Sequence, residues 1–274
     1  MYSHLANPRA TRETLQRFGL ATKHRLGQNF LVNDDVIGKI IRLAELSAGD
    51  VVLEVGPGIG TLSVALLGAA GKVVAVEADR ELEQVLQETC VQTGRFDLVM
   101  GDALKVIPDG LTCVPTAFVS NLPYQVAATL ILGVFQQVPS VRRAVVMVQA
   151  EVADRIAAQP GNKTYGAYTA KLGLYGKVTG RFEVGPGNFM PPPHVDSAVV
   201  RIDRDPVQDA PENTPAVIDA AFAQRRKTIR NSMAASGFDK AALDVAFSQT
   251  GIAPNARAET LSVAEFVELA KALG

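Results

Sequence analysis

The sequence predicts an α/β protein: a doubly wound, mostly parallel sheet domain over residues 1–204 and a small α-helical domain over 205–274. Three observations lead there. Between 51 and 149, five short apolar runs alternate with amphipathic stretches, the pattern of strands buried on both faces beneath covering helices. After Arg204, Pro206, Pro211 and Pro215 punctuate an acidic stretch in which residues 205–219 hold Asp205, Asp209, Glu212 and Asp219 and no base. Beyond it, helical periodicity runs to the end of the chain.

The elements follow in order. VVLEVG (51–56) predicts the first strand and TLSVALLGAA (61–70) the helix after it. KVVAVE (72–77) is the second strand, followed by a helix from Asp79 to about Cys90. FDLVMGD (96–102) and TAFVSN (116–121) are the third and fourth strands, with a helix from about Val126 to Gln137. RAVVMVQ (143–149) is the fifth and leads into the helix AEVADRIAA (150–158). From 159 the pattern loosens: QPGNKTYG (159–166) reads as an exposed loop, and GPGNFMPPPHVDSAVVRI (185–202) as a proline-stiffened loop feeding a last strand. Thr214-Pro215 reads as an N-cap with proline at the first helical position, opening three or four short helices.

Composition excludes several classes. The chain has 274 residues, 47% apolar and 20% charged, which is globular and long enough to bury a core without metals or crosslinks. Cys90 and Cys113 read as two reduced thiols of a cytoplasmic protein, since no secretory signal opens the sequence. No apolar run reaches the ~18–20 residues of a membrane-spanning helix, so no membrane role is expected. His4, His24 and His194 are scattered without ligand spacing, so no metal is expected either. The net charge is −1, but it is unevenly spread. Residues 1–30 carry Arg9, Arg12, Arg17, Lys23 and Arg25 against Glu13 alone, a cluster that reads as a mobile arm ordering on RNA or cofactor. QRRKTIRN (224–231) carries Arg225, Arg226, Lys227 and Arg230 with no acid. A basic run is ordinarily a solvated helix face; two of them in a near-neutral chain suit a polyanionic partner.

Glu54-Val55-Gly56-Pro57-Gly58-Ile59-Gly60 lies between a predicted strand and a predicted helix. Glycines there permit a tight turn and let a ligand approach the backbone at the helix N-terminus; a ligand-free turn needs fewer of them. A dinucleotide fingerprint is G-x-G-x-x-G, whereas here the third glycine falls one position early. G-x-G-x-G is instead the pattern of S-adenosylmethionine-dependent methyltransferases. Glu77 ends the second strand, 21 residues after Gly56, where a carboxylate accepts the hydroxyls of an adenosyl ribose. Asp102 closes the third strand and suits an adenine amino group. Gly56, Glu77, Asp102 and Asn121 thus fall at the carboxyl ends of successive strands, the edge at which open α/β sheets bind ligands.

Asn121-Leu122-Pro123-Tyr124 makes the chemistry specific. An adenine amine is a poor nucleophile because its lone pair is delocalised into the ring. The Asn121 amide oxygen and a backbone carbonyl beside Pro123 suit its two N–H groups and bring that lone pair toward an electrophilic methyl. Proline stiffens the loop, and Tyr124 offers a flat face for an unstacked base. Positioning and polarisation then suffice without a strong general base. The bland alternative is an Asn-x-Pro turn with a core tyrosine.

At this point the chain resembles a family, the small-subunit ribosomal RNA adenine N6,N6-dimethyltransferases. HRLGQNFL (24–31), EVGPGIGTLS (54–63), NLPY (121–124), NKTYGAY (162–168), FMPPPHVDSAVVRI (189–202), QRRKTIRNS (224–232) and RAETLSVAEF (257–266) match its segments in order. The resemblance implies a Rossmann-like class I S-adenosylmethionine methyltransferase domain with a small helical C-terminal domain. It implies S-adenosylmethionine as cofactor, S-adenosylhomocysteine as product, and dimethylation of two adjacent adenines near the 3′ end of 16S rRNA in a pre-30S particle. By residue it implies cofactor contacts from Asn29, Leu31, Gly56, Glu77, Asp102 and Asn121, and a base sandwich between Tyr124 and Phe189. The family commonly continues NLPY with Asn-Ile-Ser, where this chain has Gln125-Val126-Ala127.

Four other readings compete, of which a DNA adenine or protein glutamine methyltransferase would more typically carry proline where Leu122 sits. A resistance methyltransferase acting on 23S rRNA shares the fold and the NLPY type of loop; the tail beginning QRRKTIRNS favours the small subunit. A non-catalytic RNA-binding assembly factor gives no reason for the intact glycine loop, Glu77, Asp102 and Asn121. A nicotinamide dehydrogenase gives no role to NLPY. A monomer is the default.

Overall fold

The computed structural model describes residues 1–20 and 28–274. In chain order the first elements are α1 (Pro8–Arg17), β1 (Phe30–Leu31), α2 (Asp34–Ala44), β2 (Val51–Val55), α3 (Thr61–Ala69), β3 (Lys72–Glu77), α4 (Glu83–Thr89), β4 (Phe96–Met100), α5 (Ala103–Val106), β5 (Ala117–Asn121), α6 (Ala127–Gln137), β6 (Arg143–Gln149) and α7 (Ala150–Ile156). They continue with α8 (Ala167–Leu172), β7 (Gly176–Val184), β8 (Phe189–Met190), β9 (Ser197–Arg204), α9 (Thr214–Phe222), α10 (Ile229–Ala235), α11 (Lys240–Thr250) and α12 (Val263–Ala272).

The five apolar runs form five neighbouring strands. The seven-stranded sheet has the order β4-β3-β2-β5-β6-β9-β7. Its first five strands are parallel, and β9 returns antiparallel to β6, with Ser197 opposite Gln149 and Asp203 opposite Arg143. The order reverses at β2, where β3 lies on one side and β5 on the other. That reversal opens a crevice above the strand ends, the usual ligand position of such sheets. The central strands carry Val, Leu, Ala and Phe because both faces are covered: Val52, Leu53, Val73, Val74, Ala75, Phe118 and Val145 have no exposed surface. A separate two-stranded ladder pairs β1 with β8, Phe30 opposite Met190 and Leu31 opposite Phe189.

The chain divides into two compact units, one of residues 1–153 and 178–204, the other of residues 154–177 and 205–274. The expected boundary after Arg204 coincides with one crossing, but residues 154–177 are not part of the sheet unit. The reason is apolar burial: Tyr165, Ala170 and Leu174 share a core with Val217, Ile218, Phe247 and Phe266. Within this second unit α12 opens on a capping box, in which Ser262 and Glu265 each accept the other's backbone N–H.

The described part of the basic N-terminal segment corrects the expectation of a mobile arm. Asn7 caps α1 by accepting the Ala10 N–H, and Pro8 occupies the first turn. Ala6 and Leu15 are buried in the core of the sheet unit, and the Tyr2 and Ser3 N–H groups donate to the Asp34 carboxylate. Lys23, His24 and Arg25 lie outside the described residues.

Candidate active site

From the end of β2 the chain turns through Gly56, Gly58 and Gly60 into α3, with φ of +70°, +62° and +88°. All three occupy the left-handed region that glycine alone adopts without strain. Each also permits a close approach. A Cβ on Gly56 would stand 3.4 Å from the Pro123 ring, on Gly58 3.1 Å from the Phe30 ring, and on Gly60 2.9 Å from Cys90 Sγ. The glycine loop therefore packs directly against the NLPY turn, against β1 and against the end of α4. Above it lies a cavity of about 220 Å³ lined by Asn29, Leu31, Gly56, Glu77, Asp102, Asn121, Leu122, Pro123 and Tyr124. Nine residues expected at the site thus come together from five separate stretches of sequence.

Glu77 is buried, 7% exposed. One carboxylate oxygen accepts the Gly58 N–H at 3.2 Å and the other accepts the Asp79 N–H at 2.9 Å. Burial raises its pKa, against the pull of those two backbone bonds. The carboxylate thus braces the glycine loop while its remaining lone pairs face the cavity it lines. Asp102 caps α5 through the Leu104 N–H at 3.0 Å, so its second oxygen is left for a ligand. Beneath both, Glu54 is 1% exposed. Burial pushes its carboxyl up to about 8, although Ser63 donates to it at 2.6 Å.

Asn121 ends β5. Its Nδ2 donates to the Asn29 carbonyl at 3.3 Å, which sets which end of the amide is which: Oδ1 remains the acceptor. The Leu122 N–H donates to the Met147 carbonyl, and the Pro123 carbonyl accepts from Val126 N–H at 3.2 Å. Tyr124 lines the cavity, half-buried, with its hydroxyl 2.6 Å from Ser197 Oγ. Gln125, at the point of departure from the family, lines the cavity too.

Phe189 is not brought to the site. It is 4% exposed, pairs through β8 with Leu31, and packs into the core with Phe30 and Val184. The expected aromatic sandwich with Tyr124 is not formed in this structure, where core neighbours cover the Phe189 ring although its ladder partner Leu31 lines the cavity. Phe30, beside Gly58 and lining the cavity, is the aromatic that sequence reasoning passed over. Its signal was its place between Asn29 and Leu31.

The donor set fits S-adenosylmethionine. A cradle of three glycines with positive φ, packed against Phe30 and Pro123, and two acids lining the cavity, Glu77 and Asp102, are the groups that its methionine part, sugar and base would require. Among the described residues no group of three His, Cys, Asp or Glu side chains is placed to hold a metal ion, and no helix is long and apolar enough to cross a membrane.

In the helical unit, Arg225, Arg226 and Lys227 are exposed on the turn between α9 and α10. Arg225 donates to the Lys163 carbonyl at 3.0 Å, which joins the NKTYG loop to the basic turn. Arg230 differs from the other three. It is held by Asp244, with Nη2 2.7 Å from Oδ2, so its charge is already paired.

Comparisons with known proteins bear on the family to which the chain belongs. The chain is 42% identical over 277 residues to ribosomal RNA small subunit methyltransferase A of Rhodococcus opacus (strain B4), covering 97% of this chain and 94% of that one. Among solved structures it is similar to a dimethyladenosine transferase from Plasmodium falciparum, with TM-score 0.77 and 26% identity over 88% of this chain and 95% of that one. The 23S rRNA methyltransferase ErmE shares the fold, with TM-score 0.67 and 24% identity over 89% of this chain and 99% of that one. The family described as ribosomal RNA adenine dimethylase matches residues 19–274, and the chain belongs to that family.

Proposed function

We propose that the cavity at the carboxyl edge of the sheet binds S-adenosylmethionine and one flipped adenine, and that the chain dimethylates N6 of two adjacent adenines near the 3′ end of 16S rRNA. The substrate is the pre-30S particle and the enzyme works as a monomer in the cytoplasm. When bound, the cofactor supplies a methyl group on a cationic sulfur and leaves as S-adenosylhomocysteine. The chain's own residues do the rest. Glu77 accepts the ribose hydroxyls, Asp102 the adenine amine of the cofactor, and the stretch Asn29–Leu31 closes over it. Asn121 Oδ1 and the Leu122 carbonyl accept the two N–H bonds of the target amine, which frees its lone pair for the methyl. Tyr124 carries the target base on its face. Arg225, Arg226 and Lys227 supply sequence-independent contacts to the RNA backbone.

The observation that carries this reading is the Asn121 amide. Its Nδ2 is spent on Asn29, so an acceptor, not a donor, is offered beside the glycine loop, as an amine substrate requires. The test is radiolabelled methyl transfer to small ribosomal subunits lacking their adenine dimethylation, with large subunits in parallel and nucleosides identified by mass spectrometry. N6,N6-dimethyladenosine in small-subunit RNA is expected. Label confined to the large subunit would reassign the substrate, and no label with cofactor still bound would leave an assembly factor.

A further inference from the structure

Ser197 is a serine with no exposed surface at the first position of β9, among Ala198, Val199 and Val200. A buried hydroxyl at such a position needs a partner, and here the partner is the Tyr124 hydroxyl at 2.6 Å. We propose that Ser197 is a positioning residue for methyl transfer, holding the Tyr124 ring axis in the place where the acceptor adenine stacks. The inference rests on the reading of Tyr124 as the base platform.

The two ends of this contact differ in rigidity. Tyr124 sits in the five-residue connection between β5 and α6, on a turn closed by the Val126 N–H to Pro123 carbonyl bond at 3.2 Å. On such a turn, two side-chain torsions set where an aromatic face points. Ser197 stands on the sheet: it lies opposite Gln149 in the β6–β9 ladder, and the preceding Asp196 carbonyl accepts the Ala150 N–H at 2.9 Å. The phenolic oxygen is the atom farthest from the turn and lies on the ring axis, so a tether there fixes the first torsion and with it where the ring stands. Rotation about that axis is restrained only by the in-plane preference of the phenolic O–H. Burial raises the Tyr124 phenol pKa, so the hydroxyl stays protonated and the bond neutral across working pH. A phenylalanine would offer the same stacking face; the tether is what a tyrosine adds. The acceptor must return to one geometry for each of two methyl transfers, and a ring held in one place serves that repetition.

The test is a double-mutant cycle on the full chain with Ser197→Ala, Tyr124→Phe and both together, beside Ser197→Thr and Tyr124→Ala. Three quantities are read: kcat on unmethylated small subunits, the S-adenosylmethionine Kd, and the fluorescence of a small-subunit RNA fragment carrying 2-aminopurine at the acceptor position. Ser197→Ala and Tyr124→Phe are each expected to lower kcat about 10-fold and to weaken the quenching of 2-aminopurine, with cofactor Kd unchanged. The double variant should be no worse than either single one, and Ser197→Thr should recover most of the rate. Wild-type kcat in Tyr124→Phe, or losses that multiply in the double variant, would overturn the inference. Should Ser197→Ala fail to fold, Tyr124→Phe removes the same bond from its more exposed end and decides alone. Tyr124→Ala separates the two readings: full activity there would overturn the stacking role itself, whereas loss there with intact Tyr124→Phe would overturn only the tether.

Discussion

The two walls of the cavity are built differently. The cofactor wall is tied by backbone groups: Gly56 N–H to the Val76 carbonyl at 2.9 Å, Gly101 N–H to the Glu77 carbonyl at 2.8 Å, and two backbone N–H groups on the Glu77 carboxylate. The acceptor wall has backbone ties too, Leu122 N–H to the Met147 carbonyl and Val126 N–H to the Pro123 carbonyl, but its two working side chains are aimed by side-chain contacts, Asn121 to the Asn29 carbonyl and Tyr124 to Ser197. On the proposed function, the first wall would hold a ligand that is the same in every cycle, which a fixed backbone suits. The second would receive a base that enters, is methylated twice and leaves, and its two groups, Asn121 at the end of β5 and Tyr124 on the turn after it, are aimed by side-chain contacts. Loss of a side chain should therefore cost binding on the first wall and turnover on the second.

The sharpest test of that division is Asn121→Ala. It is expected to lower kcat by about 10²–10³-fold, as removal of a preorganised polar group at the reacting atom does, with cofactor Kd within a few fold by calorimetry. A lost cofactor affinity would move Asn121 to the other wall.

Next in size is the floor beneath the cofactor wall. Glu54 holds its proton up to about 8 in the folded state against an ordinary value of 4.5. The folded chain therefore binds more protons than the unfolded one between those values, and this group makes stability fall as pH rises from about 4.5 to 8. Glu54→Gln should remove that slope. Denaturant melts at pH 5 and 8 should show the variant gaining on the parent by a few kcal/mol, roughly; equal differences at both pH values would mean that Glu54 is ionised.

Glu77→Ala should weaken cofactor binding by about 1–3 kcal/mol, since a buried hydroxyl pair loses its acceptor. Calorimetry reads it, and Glu77→Gln, which keeps one acceptor oxygen, should lose less. The smallest effect is expected in the helical unit. Replacing Arg225, Arg226 and Lys227 by alanine should lower the slope of log K against log salt by about two to three for RNA binding. Arg230→Ala should leave that slope in place and lower the melting temperature instead, because Asp244 already occupies its guanidinium.

Much of this was legible in the residues. The five parallel strands announce themselves because burial on both faces forces unbroken apolar runs, and their carboxyl ends carry the site. β7 was missed although its GKVTGRFEV alternates buried and exposed positions, Gly176 and Val184 inward, Lys177 and Glu183 outward. The strand lies on a sheet edge and only its two end residues are fully buried, so no apolar run marks it. α1 hides in a basic segment whose apolar positions, chiefly Leu15, are few. Phe189 and Ser197 could not be placed at all from sequence. Whether a phenylalanine faces a cavity or a core depends on its pairing with Leu31, 158 residues away, and a serine's partner across 73 residues leaves no periodic trace.

The crossings of the chain between its two units bear on how the molecule is made. Residues 154–177 leave the ribosome before the helices that bury Tyr165, Ala170 and Leu174 exist. At roughly 5–20 residues per second, they wait on the order of 5–20 s for the last of the chain. The sheet unit likewise lacks β9, and with it the neighbour of β6, until residue 204 has emerged. Neither unit is therefore a segment that vectorial synthesis can finish before the other begins. A chain stopped at residue 204 would carry an orphaned apolar insert, so trimming the helical unit by cutting at that point would yield an aggregating fragment, not a smaller enzyme.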